Sequence, residues 1–504
     1  MIFKTESTEI QSYLEDSSAI YDGYAAGVYF PENENDLVEI TKNCVNRAKS
    51  REKVRITLSG NGTGTTGGRI PYGDYVIATD KLNKIISIEK HPDGSGSARV
   101  QTGVLLYDFQ AEVERQGMIY TPDPTERYCF IGGTIANNSS GARTFKYGAT
   151  RPYVLQLKCV LPTGELLTIE RGKVFSDERG VMSFETDNGR QIVCQVPHYE
   201  MPKTTKHVAG YFVEKRTDLI DLIIGSEGTL GIIVEAQLKL LPKPDNLFSG
   251  LIYFDSDQHL LGFVGQVVEE SRKIDGEKKV DARAVEYFDR NALNFLRKKY
   301  PQIPEKAEGA VFFEQETNSS NENSLLENWF SLMQIHEAMI DESWIAMSPD
   351  EQQKIRDFRH ALPVLVNEWY AKYRQRKIST DMAVPYANFS KLMNAYKTGC
   401  ENQGFDYILF GHIGDAHLHL NILPKNQEEA LKAKELYKTL IKLTLELKGT
   451  ISAEHGVGKL KSEFLVDMYG EEGIKEMVAL KKAFDPYLIM NIGNLIPERF
   501  YSLG

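Results

Sequence analysis

The sequence has few cysteines, no long apolar run and, near its start, no visible apolar stretch of the kind found in secretory signals. Its five cysteines are an odd number, lie far apart and never form a CxxC pair. This pattern is typical of reduced thiols in a cytosolic protein and excludes an iron–sulfur cluster, which needs grouped thiolates. No apolar run reaches the length of a bilayer span, and charges at Lys4 and Glu6 stand too early for a secretory signal. The sequence predicts a cytoplasmic protein, with peripheral attachment to a membrane left open.

Positive charge is also in deficit. The net charge is −11, from 59 lysines and arginines against 70 aspartates and glutamates, which argues against a nucleic-acid partner. The length of 504 residues exceeds what a single hydrophobic core usually supports, so two or three domains are expected.

Short strands and glycine-rich turns fill the first half of the chain, an α+β pattern. Pro242-Lys-Pro244 ends this half and is the clearest boundary signal in the sequence. Helical patterns mixed with strands follow over 245–300, 323–376, 426–448 and 471–484.

A segment dense in glycine and threonine, Ser59–Gly68, follows a predicted strand at 54–58 and contains the letters GxGxxG at 62–67. A Rossmann unit requires a helix to begin at this point, but Arg69 to Gly73 and another predicted strand follow instead. No lysine follows the glycines, which excludes a Walker A loop. Unobstructed backbone N–H groups suit a diphosphate, although a flexible turn is the alternative for this loop alone.

Two further runs are rich in small residues, 131–141 and 222–233. Small residues at three separate places allow the backbone to approach a large flat ligand along its length.

Histidines are concentrated near the carboxyl end. Three of the ten lie within 412–419, and a Glu454-His455 pair flanked by glycine follows. Imidazole and carboxylate groups are preferred ligands of divalent transition metals.

A strand at 406–410 and a turn at 413–415 precede a second predicted strand, on which His417, His419 and Asn421 alternate with apolar residues and share one face. His412 and His419 can then converge across this hairpin, with Glu454 arriving from a later segment. Three protein ligands leave positions open for a substrate, as in catalytic metal sites. For each histidine alone, an ordinary core or surface residue is the alternative.

Taken in order, the three small-residue runs resemble the FAD-binding domain of the vanillyl-alcohol oxidase/p-cresol methylhydroxylase flavoprotein superfamily. The 412–419 and 454–455 segments resemble its FAD-linked 2-hydroxy-acid dehydrogenase branch, which includes D-lactate dehydrogenases, the glycolate oxidase flavin subunit and D-2-hydroxyglutarate dehydrogenase. The likeness extends from about residue 25 to Pro497.

The resemblance implies an α+β fold with a two-subdomain FAD-binding domain and a cap, or substrate, domain that has an antiparallel sheet. We expect the FAD-binding domain over 1–243, completed by about 465–504, and the cap domain with the metal site over 244–464. It also implies non-covalent FAD, because the three runs hold no histidine for attachment. The residues expected to contact FAD are Asn61, Gly62, Thr63, Gly64, Thr65, Thr66, Pro122, Asp123, Gly132, Gly133, Thr134, Asn137, Gly141, Glu227, Gly228, Ile232 and Asn494.

By the same resemblance, His412, His419 and Glu454 would bind a divalent metal (zinc, manganese or iron), and His455 would be the catalytic base. The residues expected to face or bind the substrate are Arg359, Lys377, His417 and Asn421, with Arg359 anchoring its carboxylate. The alternative for His417 is a place behind the metal ligands, and for Arg359 and Lys377 it is an ordinary solvated helix charge.

The predicted activity is oxidation of a 2-hydroxy acid, in the D form, to the 2-oxo acid. The alternatives are oxidation of an aromatic alcohol, an ether-lipid synthase reaction, a metallohydrolase without flavin, and a flavin-bearing scaffold. The electron acceptor is left open among a quinone, a cytochrome, an electron-transfer flavoprotein and oxygen, and a homodimer is also left open.

Overall fold

A computed structural model describes residues 1–502. Its first sheet has the order β1-β2-β4-β3, in which β2, β4 and β3 run parallel and β1 is antiparallel to β2. The strands are β1 Ile2–Lys4, β2 Tyr24–Phe30, β3 Ile56–Ser59 and β4 Tyr72–Ala78.

The second sheet has the order β5-β6-β12-β8-β9, with β7 also paired to β12, and all its pairs are antiparallel. A separate antiparallel hairpin is formed by β10 and β11. The strands are β5 Ile85–Lys90, β6 Gly96–Gln101, β7 Met118–Ile119, β8 Val154–Val160, β9 Leu166–Glu170, β10 Val181–Glu185, β11 Gln191–Gln195 and β12 Ile232–Pro242.

The third sheet follows the prolines at 242 and 244 and has the order β16-β13-β15-β14-β18-β19-β17. Every pair in it is antiparallel. The strands are β13 Asn246–Phe254, β14 Ala282–Asp289, β15 Gly309–Thr317, β16 Trp344–Ala346, β17 Ile378–Ser379, β18 Tyr407–Gly411 and β19 His419–Ile422.

Helices cover the sheets, and several of them begin at a residue whose side chain caps the first turn. The helix α2 starts after Asn33, whose side chain accepts the backbone N–H of Asp36 at 3.0 Å, and α10 starts with a capping box between Ser348 and Glu351. The helices are α1 Ser7–Ile10, α2 Glu34–Lys49, α3 Leu106–Arg115, α4 Ile131–Ala136, α5 Thr144–Tyr147, α6 Leu219–Ile223, α7 Asp257–Ser271, α8 Arg290–Leu296, α9 Glu322–Ile335, α10 Pro349–Tyr373, α11 Phe389–Glu401, α12 Gln427–Glu446 and α13 Ser462–Phe484.

The carboxyl end of the chain returns to the first sheet. The N–H of Ile56 donates to the carbonyl of Ile489 at 2.7 Å, and the N–H of Asn491 donates to the carbonyl of Ile56 at 2.8 Å. The same segment joins an apolar core between the first two sheets, formed by residues such as Leu37, Val160 and Ile489. Residues far apart in the sequence therefore close one cleft between these sheets.

Within residues 1–502, no helix combines the length and apolar character that crossing a bilayer requires. The five cysteines form no disulfide, and burial raises the pKa of Cys159 and Cys400 to about 12.

Candidate active site

All three small-residue runs line one cleft of about 440 Å³, here called the glycine-lined cleft. Lys377, Glu454 and His455 also line it, so it reaches the histidine-rich end of the chain. The lining residues that the sequence predicted as FAD contacts are Asn61, Gly62, Thr63, Gly64, Thr65, Thr66, Gly132, Gly133, Thr134, Asn137, Glu227, Gly228, Ile232 and Asn494.

The loop after β3 leaves its backbone donors free. No helix follows it, and within residues 1–502 the N–H groups of residues 61–66 donate no hydrogen bond. The guanidinium of Arg69 fixes the loop by donating to the carbonyls of Gly60 at 2.7 Å and Glu15 at 2.9 Å. Clustered free N–H groups form an anion-binding surface that suits the diphosphate of FAD.

Two glycines show that the cleft has room for a ligand against bare backbone. A Cβ built on Gly64 or on Gly133 would meet no atom within 4 Å, so any side chain there would project into open space. A side chain at either position would occupy the space that a closely approaching cofactor needs. This arrangement fits a flat cofactor lying along the loop and α4.

Three predicted FAD contacts lie outside the lining of the cleft. The carbonyl of Pro122 accepts from Gln110 at 3.0 Å, and Asp123 pairs with Arg143 at 3.2 Å. A Cβ on Gly141 would stand 1.9 Å from the carbonyl oxygen of Asp123, so only glycine fits there. These three residues do not line the cleft, and their assignment as FAD contacts stays a prediction.

The third small-residue run is tied to the segment after His455 through Glu227. Its carboxylate accepts the N–H groups of Val457 at 2.6 Å and Gly458 at 2.8 Å. Burial raises the pKa of Glu227, and the two N–H donors oppose that effect. The residue has φ +51°, a left-handed conformation that is costly for a side chain other than glycine and that often marks functional sites.

The candidate metal ligands converge on Glu454. Its Oε1 lies 3.1 Å from Nε2 of His419 and 3.3 Å from Nε2 of His412. His417 also faces it, with Nδ1 4.0 Å from Oε2. One ligand atom from each of these four residues, here called the histidine cluster, lies within 4.8 Å of the other three.

The hairpin forms largely as the sequence predicted. Strands β18 and β19 pair with Phe410 opposite His419, and a 3₁₀ turn at Ile413–Asp415 connects them. His417 precedes β19 and makes an isolated bridge to Ala383 instead of extending the strand. The tight connection brings the three imidazoles together, with ring centroids 4.6–5.6 Å apart.

Charges around the cluster favour an ionised carboxylate at its centre. Burial alone would raise the pKa of Glu454, but Lys206 and His412 hold it well below its usual value. The Nζ of Lys206 lies 3.0 Å from Oε2 of Glu454 and also donates to the carbonyl of Gly141. Burial and His419 lower the pKa of His417 to about 3, so its ring is neutral and retains a lone pair for coordination.

His455 lies at the junction of the cluster and the glycine-lined cleft. Its ring stacks on His419 at 5.1 Å, its side chain is 34% exposed, and its Nε2 is 3.7 Å from Oε1 of Glu454. Burial lowers the pKa of His455 to about 4, although the negative charge of Asp381 opposes this shift. At neutral pH the imidazole is therefore uncharged and can accept a proton.

Asp381 fixes the backbone of the segment around His455. This fully buried carboxylate accepts the N–H groups of Glu454 at 3.2 Å and His455 at 3.1 Å. It also accepts from Nζ of Lys461 at 2.7 Å and from the hydroxyl of Ser452 at 2.6 Å. Burial would raise the pKa of Asp381, but His455 and Lys461 hold it well below its usual value.

The two cations predicted for substrate binding differ in their surroundings. Lys377 lines the cleft and makes no salt bridge or hydrogen bond within the part of the chain that the structure describes. Arg359 is instead paired with Glu286, and its Nη1 lies 3.0 Å from Nε2 of His360. The guanidinium of Arg359 is thus already paired, and its role as the carboxylate anchor stays a prediction.

The remaining predicted substrate contacts are buried. His417 and Asn421 have no exposed surface and do not line the cleft, and Nδ2 of Asn421 lies 3.4 Å from the carbonyl of His419. Sequence reasoning assigned no role to Lys206, Glu286 or Asp381. Lys206 lies between the second and third small-residue runs, and Glu286 and Asp381 are single acidic residues without a motif.

Comparison with known proteins gives two family matches. The model of the FAD binding domain matches residues 25–170, and that of the FAD linked oxidases, C-terminal domain, matches residues 263–495. The glycolate oxidase subunit GlcD of Bacillus subtilis (strain 168) is 29% identical over 493 residues, which cover 96% of this chain and 92% of that protein. A D-lactate dehydrogenase of Anaerostipes hadrus is 27% identical over 496 residues, with 96% and 92% covered.

A third relative is a D-2-hydroxyglutarate dehydrogenase of Xanthomonas citri pv. viticola, which is 28% identical over 509 residues and covers 98% of this chain and 93% of its own. Among solved structures, an alkyldihydroxyacetonephosphate synthase superposes with a TM-score of 0.65 over 97% of this chain and 82% of that one. At 17% identity this likeness shows the fold alone.

Proposed function

Since the chain belongs to the FAD-linked oxidases, with a FAD binding domain followed by their C-terminal domain, we propose that it oxidises a 2-hydroxy acid, in the D form, to the 2-oxo acid. The chain is a FAD-dependent oxidoreductase acting on CH–OH groups, and its relatives include enzymes named for lactate, glycolate and 2-hydroxyglutarate. The observation that supports this substrate class is the position of Glu454 and His455, which join the histidine cluster to the glycine-lined cleft.

FAD, when bound, supplies the acceptor for the hydride from the substrate carbon. We propose that it is held without a covalent bond, because no histidine stands among the lining residues of the three runs. The N–H groups of residues 61–66 would bind its diphosphate, and the bare backbone at Gly133 would lie against it.

The divalent ion that we propose at the histidine cluster would act as a Lewis acid and lower the pKa of the substrate hydroxyl. His412, His419 and Glu454 would hold it, since each has a nitrogen or oxygen directed at the same point. Zinc, manganese and iron all accept such ligands.

We propose that His455 takes the hydroxyl proton. Its ring is uncharged, partly exposed, and stacked on His419. Asp381 accepts the backbone N–H groups of Glu454 and His455. Glu227 accepts those of Val457 and Gly458, so the backbone is held at His455 and just after it. A base fixed in this way needs little rearrangement to meet a substrate bound at the cluster.

Lys377 is the group that we propose for the substrate carboxylate, because it lines the same cleft as His455 and has no partner carboxylate within residues 1–502. Arg359 would act indirectly by fixing Glu286, which lies 2.8 Å from Nδ1 of His412. Asn421 would then support the backbone of His419 from within the sheet.

We propose the domain division 1–243 and about 465–504 for the FAD-binding part and 244–464 for the cap. In this division Glu454 and His455 come from the cap and meet the FAD-binding part at the cleft. For the alternative of an ether-lipid synthase reaction, the likeness to the alkyldihydroxyacetonephosphate synthase, at 17% identity, shows the fold alone and does not support that reaction. A metallohydrolase without flavin is disfavoured by the FAD binding domain.

The experiment is anaerobic mixing of the purified holoenzyme with a panel of D- and L-2-hydroxy acids while flavin absorbance is followed. We expect bleaching by one D-2-hydroxy acid and formation of the matching 2-oxo acid in equal amount. The same acids without the 2-hydroxyl serve as controls and should leave the flavin oxidised. The proposal is refuted if no hydroxy acid bleaches the flavin while an aromatic alcohol or another CH–OH compound does.

A further inference from the structure

We infer that His417 is a fourth protein ligand of the divalent ion, beside His412, His419 and Glu454. It follows that the site prefers an ion that accepts six ligands, such as Mn²⁺ or Fe²⁺, over tetrahedral zinc. The inference rests on the proposed function, because it assumes that a metal occupies the histidine cluster and binds a 2-hydroxy acid.

His417 faces the same carboxylate as the other two histidines, but at its second oxygen. Its Nδ1 lies 4.0 Å from Oε2 of Glu454, and its ring centroid is 4.6 Å from that of His419 and 5.5 Å from that of His412. The four residues satisfy one common geometric limit of 4.8 Å between ligand atoms. Three imidazoles and one carboxylate thus surround the same point.

All three histidines show the same arrangement of their two ring nitrogens. One nitrogen of each ring faces Glu454, and the other faces an oxygen of the surrounding protein. These oxygens are Glu286 Oε1 at 2.8 Å from His412, Thr380 O at 3.1 Å from His419, and Asp381 Oδ1 at 3.3 Å from His417. Metal-binding histidines almost always have such an outer oxygen, which fixes the tautomer and directs the free nitrogen to the metal.

The side chain of His417 is also unsatisfied without a further partner. It has no exposed surface, and neither ring nitrogen makes a well-formed hydrogen bond within residues 1–502. Leaving buried polar atoms without partners is costly. Coordination would satisfy Nδ1, and a small rotation of the ring would complete the contact of Nε2 with Asp381.

Direct contact with the substrate explains these observations less well. His417 does not line the glycine-lined cleft, whereas Glu454 and His455 do. The ring is fully buried, so a substrate could contact it only if the surrounding side chains moved.

A fourth ligand changes which metals suit the reaction. Four protein ligands complete the tetrahedron that zinc adopts in closed structural sites. Chelation of a 2-hydroxy acid through its hydroxyl and carboxylate oxygens needs two more coordination positions on the ion. An ion with octahedral preference keeps both positions open, and imidazole and carboxylate ligands suit iron and manganese.

The test is X-ray absorption at the manganese K-edge of the Mn²⁺-loaded holoenzyme, together with competition for Mn²⁺ by a chelator. We expect scattering from three imidazoles in the parent protein and from two in His417→Asn, with unchanged flavin content. Loss of an outer partner usually costs 10–100-fold in metal affinity, so loss of a ligand should cost about 100-fold or more. His207→Asn is the matched control, because His207 bonds Thr450 outside the cluster and its loss should not change the affinity.

A parent spectrum with two imidazoles would overturn the inference, and so would a His417→Asn variant with the parent affinity and spectrum. If His417→Asn does not fold, the count of imidazoles in the parent protein alone decides. Failure of the proposed function would look different, since no 2-hydroxy acid would then reduce the flavin. A parent protein with two imidazoles that still oxidises a 2-hydroxy acid would contradict the fourth ligand alone.

Discussion

Replacing His455 with alanine separates proton transfer from binding at this site. The imidazole is stacked on His419 and 34% exposed, and none of its ring nitrogens forms a hydrogen bond within residues 1–502. The backbone of the segment is held by Asp381 and Glu227 through N–H groups, which alanine retains. The substitution should therefore leave the metal and FAD sites in place.

The expected effect follows from the loss of a positioned base. General-base catalysis by one residue is worth about 10²–10⁴-fold, which corresponds to roughly 3–5 kcal/mol in the barrier. We expect flavin reduction in His455→Ala to slow by about that factor, with little change in substrate affinity.

The assay is stopped-flow reduction of the flavin under anaerobic conditions with saturating 2-hydroxy acid. Flavin content and elemental analysis of the same preparation establish that both sites are filled. Added imidazole, which can enter the exposed space, should restore part of the rate. Flavin reduction at the parent rate in His455→Ala would refute the assignment of the base, because another group would then be taking the proton.

Other parts of the site give separate expectations. Glu454→Gln should lose the metal and hydroxy-acid oxidation together while FAD stays bound, as elemental analysis and the flavin spectrum would show; full activity in metal-free protein would contradict the metal's role. Gly64→Leu should lower FAD occupancy because its side chain would enter the glycine-lined cleft, whereas Gly265→Leu, on α7 with equally free surroundings, should keep it. Equal occupancy in both variants would place the cofactor elsewhere. Lys377→Met should raise KM for the hydroxy acid about 10-fold or more, in line with a charge-assisted bond worth roughly 1.5–3 kcal/mol, with FAD content unchanged; an unchanged KM would exclude it as the carboxylate anchor. Acid precipitation should release the flavin into the supernatant, and yellow precipitated protein would show a covalent bond.

Much of the fold could be predicted from the sequence. The α+β class and the family are confirmed by the two matched domains and by the sheets. The prediction that no Rossmann helix follows the 62–67 glycines is also confirmed, because β4 begins at Tyr72 after an irregular loop. These features depend on local composition and spacing, which a single sequence displays directly.

Ion-pair partners could not be predicted in the same way. Lys206 and Glu454 are 248 residues apart, and Arg359 and Glu286 are 73 apart, yet each pair is in contact. Nothing near Arg359 in the sequence shows that a carboxylate on β14 will engage it. The burial of His417 depends on where its neighbour segments cross, which strand alternation does not determine.

The return of the chain end to β3 has a consequence for biosynthesis. The N–H of Leu58 donates to the side chain of Asn491, a contact that spans 433 residues, so the first sheet stays incomplete until the last part of the chain has been made. At about 5–20 residues per second, the ribosome takes roughly 20–90 s to produce that stretch. During this time the cleft lacks Asn491 and Asn494, two of its lining residues from the carboxyl end. We therefore expect firm capture of FAD to be a late event in the maturation of the polypeptide, after its carboxyl end has closed the cleft.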